Sequence, residues 1–147
     1  MGGKGLKNNF LIKHATWQTH APQLKSVREA VFIQEQQVPP ALEWDSLDEA
    51  AQHLLAVTAA GDVLGCARLT GDGNIGRMAV LKLWRGIGVG GALLTEAISI
   101  YQQLGVEKIR LSAQMHAVSF YEKFGFKKYG EPYLDADIMH IDMQLIQ

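Results

Sequence analysis

The chain has 147 residues and a mass of 16.2 kDa, a length that fits one globular domain. Fourteen Lys and Arg oppose fifteen Asp and Glu, so the formal net charge is −1 at pH 7, which excludes a strongly basic nucleic-acid-binding module. A single cysteine, Cys66, excludes an intramolecular disulfide framework and a multi-cysteine zinc site.

The sequence shows no sign of membrane insertion or export. No stretch approaches the roughly 18 consecutive apolar residues of a membrane-spanning helix. The N-terminal lysines surround only the short apolar run Phe10–Ile12, which is too short for the core of a signal peptide. We therefore expect a cytoplasmic protein without a membrane partner, with residues 1–8 as a flexible N-terminal segment and residues 9–147 as one domain.

The first third of the chain predicts a strand followed by a helix. Phe10–Thr16 has the composition of a strand. A helix with Pro22 in its first turn is expected next, since the missing N–H of proline costs nothing there. The run Val38–Pro40 ends that helix. Apolar residues recur along it at helical spacing: Leu24, Val27 and Val31.

The middle of the chain predicts a capped turn and then three strands. Residues 46–49 have the S-x-x-E form of a capping box, so a short helical turn is expected there. Two β-rich runs, His53–Ala59 and Val63–Thr70, are joined by an Ala-Gly-Asp turn that is typical of a hairpin. A Gly-Asp-Gly turn then leads into a third strand, Asn74–Leu81.

The last third alternates helices and strands. Ala92–Leu104 has an amphipathic helical pattern, Lys108–Ser112 alternates as a strand, and Ala117–Phe124 predicts a short helix. Two further strands are expected at Phe126–Gly130 and Ile138–Leu145. The predicted order β-α-β-β-β-α-β-α-β-β describes a mixed α/β fold in which a meander leads into a parallel crossover.

A glycine-rich loop connects the third strand to the long helix. Four of the six residues in 86–91 are glycines. Without Cβ atoms the backbone can approach a phosphate closely, and the free N–H groups at the helix start and its dipole attract anions. A mobile surface loop is the alternative. We favour phosphate binding because the loop opens directly into a long amphipathic helix.

The type of phosphate ligand is narrowed by the context of the loop. Residues 86–91 satisfy G-x-G-x-x-G, the dinucleotide fingerprint, but Lys82–Arg85 intervene between the strand and the first glycine. Too few residues follow Gly86 for a doubly wound nucleotide domain. No Lys-Ser/Thr pair follows the last glycine, so the loop is not a P-loop.

Taken from Arg85, the same loop also fits the pattern R-x-x-G-x-G, with Arg85, Gly88 and Gly90 at its fixed positions. Here the sequence resembles the GNAT superfamily of acyl-CoA-dependent N-acyltransferases. In that family this segment binds the pyrophosphate of coenzyme A through backbone amides at the start of the central helix. The resemblance implies one mixed, mostly antiparallel central sheet flanked by helices, with acetyl-CoA as cosubstrate and no metal.

Two further segments carry the resemblance. Arg77–Val80 is similar to the family's strand that pairs with the pantetheine arm; its backbone N–H groups would polarise the thioester carbonyl if it splays from Lys108–Ser112. Ala117–Phe126 is similar to the family's A-x-x-x-Y-x-x-x-G-F segment, and Gln114 stands where many members have an asparagine near the pantetheine. The resemblance thus implies these coenzyme A contacts: Met78, Ala79, Val80, Arg85, Gly86, Ile87, Gly88, Val89, Gly90, Gly91 and Gln114.

N-acyl transfer needs a deprotonated amine held against the thioester carbonyl, and a proton for the leaving thiolate. Tyr121 matches the tyrosine that commonly serves as the family's general acid. The segments Arg28–Gln36 and Asp135–His140, together with Glu43-x-Asp45 and its His53, resemble the bacterial ElaA-like subgroup, so His140 and Glu35 are the leading candidates for the base. The other candidates that remain open are Glu43, His53 and His116.

The acidic run and Cys66 can each be interpreted as structural instead of functional. The acidic run Glu43, Asp45, Asp48 and Glu49 either attracts a cationic amine or, as we favour, caps a helix and is solvated. Cys66 lies in an alternating strand and is expected to be buried, so direct transfer in a ternary complex is preferred to an acyl-cysteine route. The three histidines named above lack metal-ligand spacing, and no metal site is expected.

Three functions remain after this reading. The first is an N-acetyltransferase that moves an acetyl group from acetyl-CoA to a small-molecule or peptide amine. The second is a non-catalytic acyl-CoA-binding or sensing module. The third, a fragment of a dinucleotide oxidoreductase, is disfavoured by the length of the chain and the context of the loop. The sequence leaves the amine and the oligomeric state open, a homodimer included.

Overall fold

The computed structural model describes residues 9–147, so the predicted flexible segment, residues 1–8, lies outside the described residues. The strands are β1 (Phe10–Ala15), β2 (Gln52–Thr58), β3 (Val63–Thr70), β4 (Asn74–Val80), β5 (Lys108–Gln114), β6 (Lys127–Asp135) and β7 (Ile138–Ile146). The α-helices are α1 (Trp17–Arg28), α2 (Pro40–Glu43), α3 (Val89–Gln103) and α4 (Val118–Glu122). A π-helix (Glu29–Glu35) continues α1, and short 3₁₀ turns are found at Lys82–Trp84 and Met115–Ala117.

The strands form one seven-stranded sheet in the order β1-β2-β3-β4-β5-β7-β6. Only β4 and β5 pair in parallel, and every other neighbouring pair is antiparallel. The parallel pair follows from the crossover through α3, which links the end of β4 to the start of β5. The predicted fold class, a mixed and mostly antiparallel sheet flanked by helices, is confirmed.

The parallel pair at the middle of the sheet separates soon after it forms. Asn74 pairs with Arg110 and Ile75 with Leu111, and no further register is present between β4 and β5. At this point β4 has a bulge in which Arg77, at φ 47°, and the next residue lie opposite one residue of β3. Beyond the bulge, β4 stays paired with β3 while β5 stays paired with β7. A wedge therefore opens between β4 and β5.

The first helix begins earlier than predicted, and a π-helix continues it at its C-terminal end. Thr16 and Thr19 form a reciprocal capping box at its start, which satisfies N–H groups that have no acceptor within the helix. His20 departs from helical geometry, so the part that packs on the sheet starts after it, with Pro22 in its first turn as predicted. The π-helical continuation, Glu29–Glu35, was not predicted.

One local prediction is wrong. Residues 46–49 form turns without a helix, because the hydrogen bond that organises this segment comes from Asp45 Oδ1, which accepts from the backbone N–H of Leu47 at 3.0 Å. Asp48 is directed into the protein, where it is 3% exposed. A capping pattern in sequence competes here with a stronger demand for charged partners.

Apolar side chains cover both faces of the sheet. Leu93, Leu94 and Ala97 of α3 are fully buried on one face, within the larger core. On the other face, the predicted helical stripe of α1 packs with Leu55 and with Cys66, which is 1% exposed as expected. Each buried leucine contributes roughly 1.5–3 kcal/mol relative to exposure. Within residues 9–147, none of the helices is both long enough and apolar enough to cross a membrane.

Candidate active site

The wedge between β4 and β5 is part of a cleft of about 870 Å³. Its walls are the π-helix and the segment after it, the end of β4, the glycine loop with the start of α3, the end of β5, α4, and the β6–β7 turn. The predicted coenzyme A contacts line this cleft except Ile87, which packs against the larger core, and so do Tyr121 and every candidate base except His53. The fold therefore brings together side chains that are more than one hundred positions apart in the chain, such as Glu35 and His140.

The glycine loop presents backbone N–H groups to the cleft. Gly88 is the N-cap of α3 with φ 95°, a left-handed conformation that suits glycine. The first intrahelical bond runs from the N–H of Ala92 to the carbonyl of Gly88 at 3.0 Å. The N–H groups of residues 89–91 consequently have no acceptor within the helix, and no acidic residue lies in its first turn. This end of a 15-residue helix is suited to an anion.

Beside the loop, β4 offers a second row of backbone groups. Met78, Ala79 and Val80 line the cleft beyond the point where β5 has separated. Backbone groups that would complete a parallel ladder face the opening instead of another strand. An extended ligand that follows the loop can therefore form strand-like hydrogen bonds with β4.

Arg85 and Glu35 form a bidentate ion pair across one end of the cleft. The two terminal nitrogens of Arg85 donate to the two carboxylate oxygens of Glu35, each at 2.7 Å, and Nε donates to the carbonyl of Val80 at 2.9 Å. The hydrogen bonds from Arg85 lower the pKa of Glu35, and the same contact raises the pKa of Arg85. A carboxylate held in this way is a poorer proton acceptor than a free one.

Gln114, at the end of β5, is hydrogen-bonded to Gln36 on the opposite side of the cleft. Its Nε2 donates to Oε1 of Gln36 at 2.8 Å, and Nε2 of Gln36 donates back to Oε1 of Gln114 at 3.3 Å. Gln36 directly follows the π-helix, so this pair joins that helix to the end of β5. Any role of Gln114 toward a ligand requires that its amide leave or share this contact.

Tyr121 lies on α4 with its ring packed between aromatic neighbours. Its ring centroid is 5.1 Å from that of Phe120 and 6.1 Å from that of Phe126, both in edge-to-face geometry. Burial raises the pKa of Tyr121 to about 12, so the phenol is protonated at neutral pH. Among residues 9–147 no side chain or backbone group is hydrogen-bonded to its hydroxyl, and the residue lines the cleft. The hydroxyl is thus a proton donor without a competing protein acceptor.

The imidazole of His140 is oriented by a hydrogen bond and by an aromatic neighbour. Its Nδ1 lies 2.7 Å from the carbonyl oxygen of Ile138. Its ring stacks on that of Tyr133, with the ring centroids 6.0 Å apart and an angle of 19° between the ring planes. A carbonyl oxygen can only accept, so Nδ1 carries the hydrogen in the neutral ring and Nε2 keeps a lone pair. His140 lines the cleft. The ring is therefore oriented as a proton acceptor through Nε2.

The other candidates for the base differ in access. His53 is 1% exposed, lies outside the cleft and contacts the carbonyl of Asp48 at 2.9 Å; burial lowers its pKa. Glu43 lines the cleft but is 3% exposed, and burial raises its pKa although it is paired with arginines. His116 is exposed and lines the cleft. His140 and His116 are accordingly the two accessible imidazoles that line the cleft.

The acidic run does not form the solvated, helix-capping face that we favoured. Arg28 is 1% exposed and binds Glu43 at 2.8 Å and Asp48 at 2.7 Å. Arg68 binds Asp45 at 2.8 Å and Asp48 at 3.1 Å. Glu49 alone of the four acids belongs to no ion pair within residues 9–147.

This network is a cluster of three arginines and three carboxylates. Its third arginine, Arg77 at the β4 bulge, reaches Glu43 and Asp45, both at 3.1 Å. One sequence signal points to the cluster: Arg28 follows Leu24 by one helical turn, on the apolar side of α1. Buried charges need such partners because desolvation of an unpaired ion is costly.

Within the part of the chain that the structure describes, no group of three or more His, Cys, Asp or Glu side chains is arranged to hold a metal ion.

Comparisons with known proteins agree with this geometry. Residues 19–147 match the sequence model of the acetyltransferase (GNAT) domain. The chain is 36% identical over 121 residues to the uncharacterized N-acetyltransferase YjcF of Bacillus subtilis, covering 80% of this chain and 86% of that protein.

Solved structures extend the agreement to the fold. An acyl-CoA N-acyltransferase from Pseudomonas aeruginosa is 32% identical, with a TM-score of 0.80 over 93% of this chain and 98% of its own. Escherichia coli ElaA is 25% identical, with a TM-score of 0.81 over 92% of this chain and 99% of its own. The resemblance to the GNAT superfamily and to ElaA is confirmed.

Proposed function

The chain belongs to the acetyltransferase (GNAT) domain family, and we propose that it moves an acetyl group from acetyl-CoA to a primary amine by direct transfer in a ternary complex. The acceptor is a small molecule or a peptide. The observation that carries the proposal is the single cleft in which the glycine-rich start of α3 adjoins the wedge between β4 and β5. An anion site and an open strand edge in one cleft suit the pyrophosphate and the pantetheine arm of coenzyme A.

In this proposal the backbone binds the cosubstrate. The N–H groups of residues 89–91 hold the pyrophosphate, where the helix dipole favours negative charge. The pantetheine arm extends along Met78, Ala79 and Val80 as an added strand. Acetyl-CoA supplies the acetyl group as a thioester, and the separation of β4 from β5 gives that thioester a route to the acceptor side of the cleft.

Two side chains move the protons. Nε2 of His140 accepts a proton from the substrate ammonium group, and the neutral amine nitrogen then attacks the thioester carbonyl carbon. As the C–N bond forms the C–S bond breaks, and the leaving thiolate takes the proton of the Tyr121 hydroxyl. The tyrosinate recovers a proton from the nitrogen, which becomes the neutral amide. The orientation of His140 by Ile138 and the protonated state of Tyr121 support these roles. The ion pair with Arg85 makes Glu35 the less suitable base.

The test is a screen of primary amines with acetyl-CoA, read by release of free thiol and by the mass of the product. We expect an acetylated product with one equivalent of thiol per acetyl group transferred. In parallel, acetyl-CoA and NADH are titrated against the protein without an acceptor. Binding of acetyl-CoA with no product for any amine would instead identify an acyl-CoA-binding module. Binding of NADH in preference would reject both.

A further inference from the structure

The end of the π-helix is held from both sides of the cleft. Glu35, its last residue, binds Arg85 at the start of the glycine loop. Gln36, the next residue, binds Gln114 at the end of β5. The following residue, Gln37, adopts φ 60°, which is unfavourable for a residue with a Cβ. These contacts, which we name the cross-cleft bridge (Glu35–Arg85 and Gln36–Gln114), fix where the π-helix ends.

The guanidinium of Arg85 is committed to protein partners through all three of its nitrogens. Nε donates to the carbonyl of Val80, at the end of β4, and the two terminal nitrogens donate to Glu35. The side chain therefore ties the residue that opens the glycine loop to the strand before it and to the π-helix. Because the two parallel hydrogen bonds are planar, they restrain the orientation of the Arg85 guanidinium relative to the Glu35 carboxylate as well as the distance between them.

We propose that Glu35 is a positioning residue for the coenzyme A loop, acting through Arg85 to hold the loop against the end of β4. Arg85 itself serves as a strut between Val80 and Glu35, and the phosphates are bound by the backbone of the loop. The inference rests on the proposed function, because it assumes that coenzyme A is the ligand of the loop.

The Glu35–Arg85 ion pair is partly exposed, so its loss should change ligand affinity more than the stability of the fold. The side chains of Arg85 and Glu35 are 40% and 36% exposed, so solvent screens the attraction and the ion pair adds little to the stability of the whole fold. Its effect is local, on the geometry of a loop that must present several N–H groups at once. Ligand affinity is the quantity that depends on that geometry.

The first experiment is a double-mutant cycle on coenzyme A affinity, measured by calorimetric titration without an acceptor. We expect Glu35→Gln and Arg85→Gln each to raise the Kd by roughly 2- to 30-fold, the range for residues that act at one remove. The double variant should be no weaker than the weaker single variant, because both changes break one strut. Glu29→Gln, which changes the same charge at the exposed first residue of the π-helix, should leave the Kd unchanged.

The second measurement separates positioning from proton transfer. When acetyl-CoA is varied at a fixed, saturating acceptor concentration, Glu35→Gln should raise the KM for acetyl-CoA, and kcat should keep the shape of its pH profile. A base at Glu35 would give the reverse, a loss of kcat with unchanged Kd, and would overturn the inference.

Three other results would also overturn it: an unchanged Kd in Glu35→Gln, tighter binding in Glu35→Gln, or additive losses in the double variant. Tighter binding would show that Glu35 competes with phosphate for Arg85. Additive losses would show that Arg85 contacts phosphate directly. If the unmutated chain binds coenzyme A but acetylates no amine, only the proposed transfer fails, and the affinities still decide this inference.

Discussion

The two walls of the cleft are built in opposite ways. The loop wall, residues 85–91, offers backbone N–H groups and glycines, with Arg85 as its one charged side chain. The charged wall, residues 29–49, owes its position to side chains, through the cluster around Arg28 and through Glu35 and Gln36. A backbone-built wall suits a ligand part that never changes. A wall built from side chains can be altered residue by residue without loss of the sheet.

This contrast predicts that mutations in the two walls affect different quantities. Damage to the loop wall should reduce coenzyme A affinity with only a small loss of stability. Damage to the charged wall should reduce stability first, because its carboxylates are buried with their arginines. The following changes test that separation, in order of decreasing expected effect.

Arg28→Leu should cost about 3–5 kcal/mol of stability, because two buried carboxylates lose a shared cation. Thermal or denaturant unfolding measures it. Lys25→Leu is the matched control, since Lys25 lies over the same Trp17 ring at 5.5 Å, as Arg28 does at 5.6 Å, but belongs to no ion pair within residues 9–147. Equal, small losses in both variants would remove the distinction between the walls.

Tyr121→Phe should lower turnover roughly 10²-fold or more while the affinity for acetyl-CoA is kept. Only the hydroxyl is lost, and the aromatic packing remains. Since the pKa of Tyr121 is raised to about 12, its deprotonation should not reduce the rate of the unmutated enzyme near pH 10, where an ordinary tyrosine titrates. Tyr129→Phe, on the exposed face of β6, is the control. Equal turnover in Tyr121→Phe would assign the proton to water.

His140→Gln should lower turnover by less than Tyr121→Phe, because amine that is already deprotonated in solution can still react. Turnover is measured for the unmutated chain and for His140→Gln with two amines of different pKa, and His116→Gln is compared as the other accessible histidine of the cleft. Equal turnover in His140→Gln and in the unmutated chain, with both amines, would leave His140 without a catalytic role.

Gly88→Val should raise the Kd for coenzyme A about tenfold, since a β-branched residue at φ 95° strains the backbone by roughly 1–2 kcal/mol. Gly61→Val is a close control: Gly61 has φ 92°, and at both glycines an added Cβ would meet no atom within 4 Å. Both variants should lose similar stability. If both also lost the same affinity, the loop wall would have no special part in binding.

The sequence anticipated the loop wall well. Glycine spacing and an amphipathic helix are local patterns, and they are read directly from residues 85–104. The seven strands, the order of the longer elements and the burial of Cys66 followed from similar local periodicity. Two details did not: β6 extends to Asp135, beyond the predicted end at Gly130, and α2 was not predicted. Tyr121 and His140 were predicted as site residues through resemblance to a family, and both line the cleft.

The charged wall was not anticipated to the same degree. The acids from Glu43 to Glu49 had two interpretations, attraction of a cationic amine or helix capping with solvation. Most of them instead bind arginines 15 to 34 residues distant in sequence. The π-helix, the β4 bulge at Arg77 and the pairing of Glu35 with Arg85 were likewise absent from the sequence patterns. No local periodicity reports which distant charges meet.

The sequence by itself therefore determined what depends on near neighbours: the strands, the longer helices, their order and a glycine-rich loop before the long helix. Tertiary structure alone decided how far β4 and β5 separate, and that Glu35 meets Arg85 while Gln36 meets Gln114. The physical reason is that burial and charge pairing depend on contacts between elements that are distant in sequence. A carboxylate that is free in the sequence becomes a base, a strut or a buried counter-ion according to the cation that the fold brings to it.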